Sequence, residues 1–373
     1  MKRVLILGGG VGGTRVANGL RKRRKGLDIT VVDSHGDHLY QPSLLYLPFG
    51  VEYEFSREER GFLHPDIKLM VERVCGIDPV GRRVEFESGS SLSYDVLVIA
   101  TGSRLDHGSI PGLREAGHHF HCRRSAERLR DTLAGFRGGS IVIGISRLPC
   151  KCPYSPAEFA LLLHEWLEKR NLRAETTISF SLPGTLSEIL GPVGEPVAGM
   201  FRERGIQILD TVEPKWVDPS GKVLHGTGGQ EIPFTLLVMV PPHIGAPFLE
   251  KSGLAGEGNW VHTDSRTLQV KGVEGIFALG DATDLPLPKL GAIAHFQSGV
   301  VVENVLAALQ SLPPAAEYDG TLRHFFETGG LHAIDIESSY DREPKVSKPS
   351  IVANQQKVLL HRHYFKLVPR AMI

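Results

Sequence analysis

The stretch "RVLILGGGVGGTRVANGLRKR" (3–23) constrains this chain more than any other. A continuous apolar run at 4–7 reads as a buried strand. Gly8, Gly10 and Gly13 follow in G-x-G-x-x-G spacing, with Gly12 inside the loop, and residues 14–20 have helical apolar spacing. In such a loop the first glycine makes the tight turn, the second lets backbone approach a pyrophosphate, and the third lets helix pack on strand. The free N–H groups of the helix start then face the diphosphate. A second strand, "DITVVDS" (28–34), brings Asp33 and Ser34 twenty residues beyond Gly13. An acid there accepts from adenosine ribose hydroxyls and disfavours a 2′-phosphate. The N-terminus is therefore expected to be a dinucleotide-binding βαβ unit.

A chain of 373 residues predicts two or three domains. Lys plus Arg equals Asp plus Glu, 42 each, so charge gives no reason to expect nucleic acid. The apolar run after Lys2 and Arg3 stops at Gly8, too short for a secretory leader, and no window reaches the ~20 apolar residues of a membrane span. Cys75, Cys122, Cys150 and Cys152 are too few and too unevenly spaced for a disulfide scaffold, and no spacing fits haem or zinc, so no metal is expected. Cys75 reads as a buried structural cysteine.

Two further segments resemble signatures of flavoproteins with two dinucleotide domains. "YDVLVIATGSRL" (94–105) is a strand ending in Ala100-Thr101-Gly102, and "VEGIFALGDATDL" (273–285) a strand ending in Gly280-Asp281, followed by a long helix. The resemblance implies FAD, with Asp281 on its ribityl chain and the helix start around Ala292 aimed at the isoalloxazine, where the dipole stabilises negative charge. It also places Pro42, after Tyr40 and Gln41, against the flavin ring. Lys289 is placed where it neutralises the flavin or meets a quinone.

In "SIVIGISRLPCKCPYSPAEFALLLHEWL" (140–167) a strand and a helix flank a loop where a second phosphate cradle is expected. Pro149 and Pro153 lack N–H donors, which argues against an ordinary nicotinamide site. The strand, Cys-Pro and helix pattern resembles sulfide:quinone oxidoreductases and the flavoprotein subunit of flavocytochrome c sulfide dehydrogenase. "HLYQPSLLYLPFG" (38–50) and "YDGTLRHFFETGG" (318–330) extend the likeness over nearly the whole chain. It implies that Cys152 is the redox thiol beside FAD, with sulfide as donor and a quinone as acceptor. Lys151, Arg147 and the following helix start are expected to lower the thiol's pKa, and Glu158 reads as a base near it or simply a favourable helix-start acid.

The pattern breaks at His324, which stands where relatives carry a distal cysteine. Three readings stay open: Cys150 and Cys152 form their own redox pair, Cys122 substitutes, or sulfide chemistry is altered or lost. An NADH:quinone reductase, or a subunit donating to a cytochrome, are the competing functions. His324 itself could relay protons near neutral pH. The last stretch, "KVLLHRHYFKLVPRAMI" (357–373), is expected to be an amphipathic helix with Leu359, Tyr364, Leu367 and Val368 on its apolar side and Lys357 elsewhere. It suits a membrane surface.

The expected architecture is α/β: two Rossmann-like domains, the second inserted in the first, with a C-terminal capping segment. The parts are 1–110 and 254–317 for FAD, 111–253 for the insert, and 318–373 for the cap. The expected setting is cytoplasmic, peripheral on the inner face of the membrane, with a homodimer left open.

Overall fold

The computed structural model describes residues 1–367, so Val368 lies outside the described residues. Strand β1 (Arg3–Leu7), helix α1 (Val11–Arg23), β2 (Asp28–Asp33), β3 (Lys68–Val71) and β4 (Val96–Ile99) make the first parallel layer. Val4 pairs with both Ile29 and Val96, and the apolar runs of β1 and β4 are buried throughout. Continuous burial is what a parallel strand covered on both faces demands.

The glycine loop between β1 and α1 is shaped by contact rather than by flexibility. Gly8 sits at φ +105°, and a Cβ there would lie 2.3 Å from the Ala100 carbonyl oxygen. A Cβ on Gly13 would lie 2.0 Å from the Gly8 oxygen. A Cβ on Gly10 would meet nothing within 4 Å, which leaves open space at the helix start.

A second unit repeats the plan. Helix α2 (Arg123–Gly135), β5 (Gly139–Ile145), α3 (Ser155–Lys169), β6 (Thr176–Ser181), β7 (Ile206–Leu209) and β8 (Leu236–Val240) build another parallel sheet. Its order is Gly117–His118, β8, β5, β6, β7. In each unit a three-stranded antiparallel flap precedes the returning strand: Val74–Asp78 to Ser91–Ser93 before β4, and Pro214–Asp218 to Glu231–Pro233 before β8. The chain then returns with β9 (Ile276–Ala278), which pairs with β4 and closes the first sheet in the order β9-β4-β1-β2-β3. Long helix α4 (Gly291–Ala308) packs on α1, close enough that a Cβ on Gly19 would meet Val302 at 2.8 Å.

The C-terminal part is an antiparallel sheet, β10 (Leu322–Gly329), β11 (His332–Ser339) and β12 (Arg342–Val346), covered by α5 (Ile351–Leu367). The inward face of α5 differs from the expected one. Asn354, Lys357, His361 and Tyr364 are buried, while Leu359 is 55% exposed. Tyr364 stacks on Tyr40 at 3.8 Å, and its hydroxyl lies 2.8 Å from His38 Nε2. Partners on β10, on α3 and in the 38–43 segment thus turn a polar face inward against the sequence's apolar pattern. Cys75 is likewise exposed, not buried: it lies in strand Val74–Asp78, where only Ile77 is buried.

A Gly13→Ala substitution forces the Gly8 carbonyl out of place. The variant is expected to purify with most of the expected flavin lost, read as the ratio of flavin to protein absorbance, whereas Gly135→Ala, at the end of α2 where a Cβ meets nothing within 4 Å, retains it.

Candidate active site

The loop from β5 to α3 is tied to its surroundings at both ends. Ser146 donates through N–H (3.1 Å) and hydroxyl (2.6 Å) to the Val240 carbonyl. Cys152 donates its N–H to the Lys289 carbonyl at 2.9 Å, and Lys151 and Lys289 form a parallel bridge. The Ser155 N–H and hydroxyl both close on the Cys152 carbonyl, at 3.0 and 2.9 Å. Cys152 itself is held at φ +46°, a left-handed conformation uncommon for a side-chain-bearing residue and concentrated at functional positions.

Around this cysteine three elements converge. Ligand-capable atoms of Cys152, of Glu158 on α3 and of His324 on β10 all lie within 4.8 Å of one another. Glu158 is 1% exposed. Its Oε1 accepts the Glu327 N–H at 2.7 Å and pairs with the Lys357 ammonium of α5. Its Oε2 faces His324 Nε2 at 3.6 Å, beyond hydrogen-bond reach. The His324 ring stacks on Tyr154, centroids 5.0 Å apart, and its Nε2 is buried without a hydrogen-bond partner. Glu327 is held in turn by the Tyr46 hydroxyl (2.9 Å) and the Asn354 amide (2.8 Å).

The electrostatics differ from the expectation of an acidified thiol. Burial, and then the Glu158 carboxylate, push the Cys152 thiol up to about 12. The cations expected to lower it face elsewhere: Lys151 pairs with Asp281 at 3.5 Å and Arg147 with Glu213 at 2.9 Å. Burial alone would raise Glu158, yet Lys357 and His324 outweigh it and hold this carboxyl down to about 2. Burial raises Glu327.

The other cysteines stay apart from this cluster. All four are free thiols; Cys150 packs into the core, and its pKa is raised by burial. No Cys150–Cys152 bond is present. Cys122 precedes α2, with its sulfur 3.3 Å from Ser125 Oγ.

On the nucleotide side, Gly10 precedes α1 and Gly12 lies in its first turn. Asp33 accepts the Gly9 N–H at 2.8 Å and those of His35 and Gly36, which fixes the end of β2, and Ser34 Oγ contacts His35 Nδ1. Ala100 donates its N–H to the Leu7 carbonyl at 2.8 Å, and Gly102 has φ +63°. The Gly280 N–H donates to Gln297 Oε1 at 2.7 Å, and Ala292 stands in the first turn of α4. Pro42 lies in the short 3₁₀ turn Gln41–Leu45. Buried donors Thr101 Oγ1, Ser103 Oγ and Gln297 Nε2 have no protein partner. Open space at Gly10 together with these unpartnered groups suits a bound dinucleotide. Lys289 is buried, donates to the Thr283 carbonyl, and its ammonium sits 4.3 Å over the Trp260 ring.

The model of the family described as pyridine nucleotide-disulphide oxidoreductase matches residues 2–310. The chain belongs to that family. It is similar to the mouse mitochondrial sulfide:quinone oxidoreductase, 28% identical over 363 residues, with 93% of this chain and 80% of the mouse protein covered. It is also similar to the sulfide-quinone reductase of Aquifex aeolicus, 28% identical over 339 residues, covering 84% of this chain and 78% of that one. The solved structure of the Aquifex sulfide:quinone oxidoreductase superposes with a TM-score of 0.90 at 24% identity, covering 99% of this chain and 92% of that one. As a family member the protein is an FAD-dependent oxidoreductase. The Rossmann-like α/β architecture expected from the sequence is the one found.

The sequence offered no sign of Lys357, Glu327, Asn354 or Tyr46. Glu158 and Lys357 stand 199 positions apart, and no spacing rule joins them.

Two outcomes follow. Glu158→Gln removes the charge that raises the thiol and leaves Lys357 beside it, so Cys152 should be alkylated faster than in wild type at pH 8, read by peptide mass. Burial also lowers His119, His243 and His361 to about 3 from the ordinary 6.5. These histidines favour the folded state while neutral, and the unfolded chain takes up more protons as pH falls below about 6.5. The melting temperature should therefore drop progressively from pH 6.5 towards pH 4; a flat profile would contradict the burial of these rings.

Proposed function

We propose that this flavoprotein oxidises sulfide and passes two electrons to a quinone, with Cys152 as the residue at which sulfur is handled. The observation that carries the reading is the convergence of Cys152, Glu158 and His324 on a loop paired through backbone to Lys289, beside the Gly280-Asp281 segment. The names of the mouse and Aquifex relatives support sulfide and quinone as the substrate pair. FAD, when bound, supplies the two-electron acceptor; Gly8, Gly10, Gly12, Gly13, Asp33, Ala100, Thr101, Gly102, Gly280, Asp281 and Ala292 are the groups we assign to holding it.

At the thiol, a proton must leave before sulfur can act as a nucleophile. Glu158, held at about 2, is too weak a base to take it. His324 offers an unpartnered Nε2 within 4.8 Å of the cluster. We assign His324 Nε2 as the proton acceptor and Glu158, whose Oε2 faces that nitrogen at 3.6 Å, as the charge that stabilises the imidazolium once it has formed. Stacking on Tyr154 fixes the ring, and Lys357 keeps Glu158 ionised. A second cysteine is not needed for that proton transfer. The Ser146 and Cys152 N–H groups, bonded to protein carbonyls, and Pro149 and Pro153, which have none, favour sulfide over NADH as donor.

For the acceptor, a groove of about 440 Å³ is lined by Phe325, Leu359, Leu360, Tyr364 and Leu367, with Arg323, Gln356 and His363 completing its wall. Ile351 and Val352 are 52% and 64% exposed on the same helix. This apolar side of α5 is our docking face for the membrane that holds the quinone, approached from the cytoplasmic side. No described helix is long and apolar enough to cross a membrane.

An anaerobic titration of the purified holoprotein tests the reading. Micromolar sulfide is expected to bleach the flavin while NADH does not. Cys152→Ser should abolish the sulfide response, and His324→Ala should slow it by about 10²-fold or more with loss of the pH dependence near neutrality. Bleaching by NADH alone would replace sulfide with a nicotinamide. A flavin indifferent to both would mean that replacement of the distal cysteine ended this chemistry. Separately, Leu359→Glu with Leu360→Glu should reduce sedimentation with lipid vesicles at unchanged flavin content.

A further inference from the structure

The same cluster has the composition of a metal centre. We propose that Cys152, Glu158 and His324 bind a borderline-soft divalent cation, Zn²⁺ foremost, and that its binding shuts off the redox thiol. The three donors are a thiol sulfur, a carboxylate oxygen and an imidazole nitrogen, the set that zinc prefers and that the hard cations Mg²⁺ and Ca²⁺ do not.

The geometry supports coordination at each donor. The donor atoms lie within 4.8 Å of one another. A tetrahedral zinc with bonds of about 2.0–2.3 Å holds its ligands about 3.3–3.8 Å apart, so the side chains close by about an ångström. Glu158 is divided suitably. Its Oε1 carries both the Lys357 ammonium and the Glu327 N–H, which leaves Oε2 without a donor. His324 Nε2 points at that oxygen from 3.6 Å, too far for a hydrogen bond, and has no other partner although it is buried. A cation between them would satisfy both atoms at once. The anchors are already in place, since Lys357 and Glu327 fix the carboxylate and Tyr154 fixes the ring.

Cys152 supplies the third ligand. Binding releases the thiol proton and occupies both the nucleophile and its proton acceptor. The cation therefore competes with sulfur chemistry rather than assisting it. The site coincides with the sulfur-handling centre read above. Coordination is measured without sulfide, so a failure here leaves that reading standing, and the reverse.

Titrating anaerobic holoprotein with Co²⁺ as a spectroscopic stand-in is expected to produce thiolate–metal charge-transfer and tetrahedral ligand-field bands at one ion per chain, and Zn²⁺ should then abolish them. Zn²⁺ affinity, read by competition with a chromogenic chelator, should fall at least about tenfold in Cys152→Ser and in His324→Ala. It should be unchanged in Cys75→Ser and Cys122→Ser, and flavin content reports that each variant is folded. Absence of tetrahedral bands in the wild type, or their survival in Cys152→Ser, would overturn the proposal.

Discussion

The site depends on one buried ion pair. Glu158 begins α3, Lys357 lies within α5, and both are almost fully removed from water. Taking two charges out of water costs several kcal/mol per ion, and the pair persists only with added hydrogen bonds. Those bonds are the Glu327 N–H on Glu158 and the hydroxyl and amide that hold Glu327 itself. Removing Lys357 would leave a carboxylate uncompensated at a cost of about 3–5 kcal/mol. The pair thereby ties the C-terminal helix to the cysteine loop and decides where His324, on the intervening strand β10, stands.

This arrangement explains the thiol. Sequence neighbours of Cys152 are cationic, and proximity along the chain suggested an acidified sulfur. In three dimensions Lys151 and Arg147 are engaged by Asp281 and Glu213, while the nearest charge is the Glu158 carboxylate. A thiol beside an anion in a buried setting keeps its proton. On our proposal the thiol gives up its proton to His324, whose Nε2 has no hydrogen-bond partner and lies within the same cluster.

What could be read from the chain followed the range of each interaction. The first dinucleotide unit was legible because its determinants are local: Gly8, Gly13 and Asp33 act within a few residues of backbone or across one strand pair. Cys152 was legible through the resemblance of its loop. The face of α5 was not, since Lys357, Asn354 and His361 turn inward to meet Glu158, Glu327 and Ser43, partners that lie far away in sequence. An apolar pattern identifies an inward face only when the surface it meets is apolar. Cys75 misled for a different reason: it sits at an irregularity of a short antiparallel flap, opposite no partner residue, and faces water.

The two units invite a direct comparison, because each has a strand, a loop and a helix at the same place in its sheet. In the first, a Cβ on Gly10 at the start of α1 would meet nothing within 4 Å, and the first N–H groups of a helix have no acceptor within it. In the second, Ser146, Cys152 and Ser155 turn their N–H groups onto Val240, Lys289 and the Cys152 carbonyl, and Pro149 and Pro153 contribute none. N–H groups turned onto protein carbonyls, with two prolines that have none, are withheld from a diphosphate. Cys152 stands in this loop at a positive φ. The same supersecondary frame thus carries two differently built loops, a glycine loop that leaves space at its helix start and a Cys-Pro loop tied back to its neighbours.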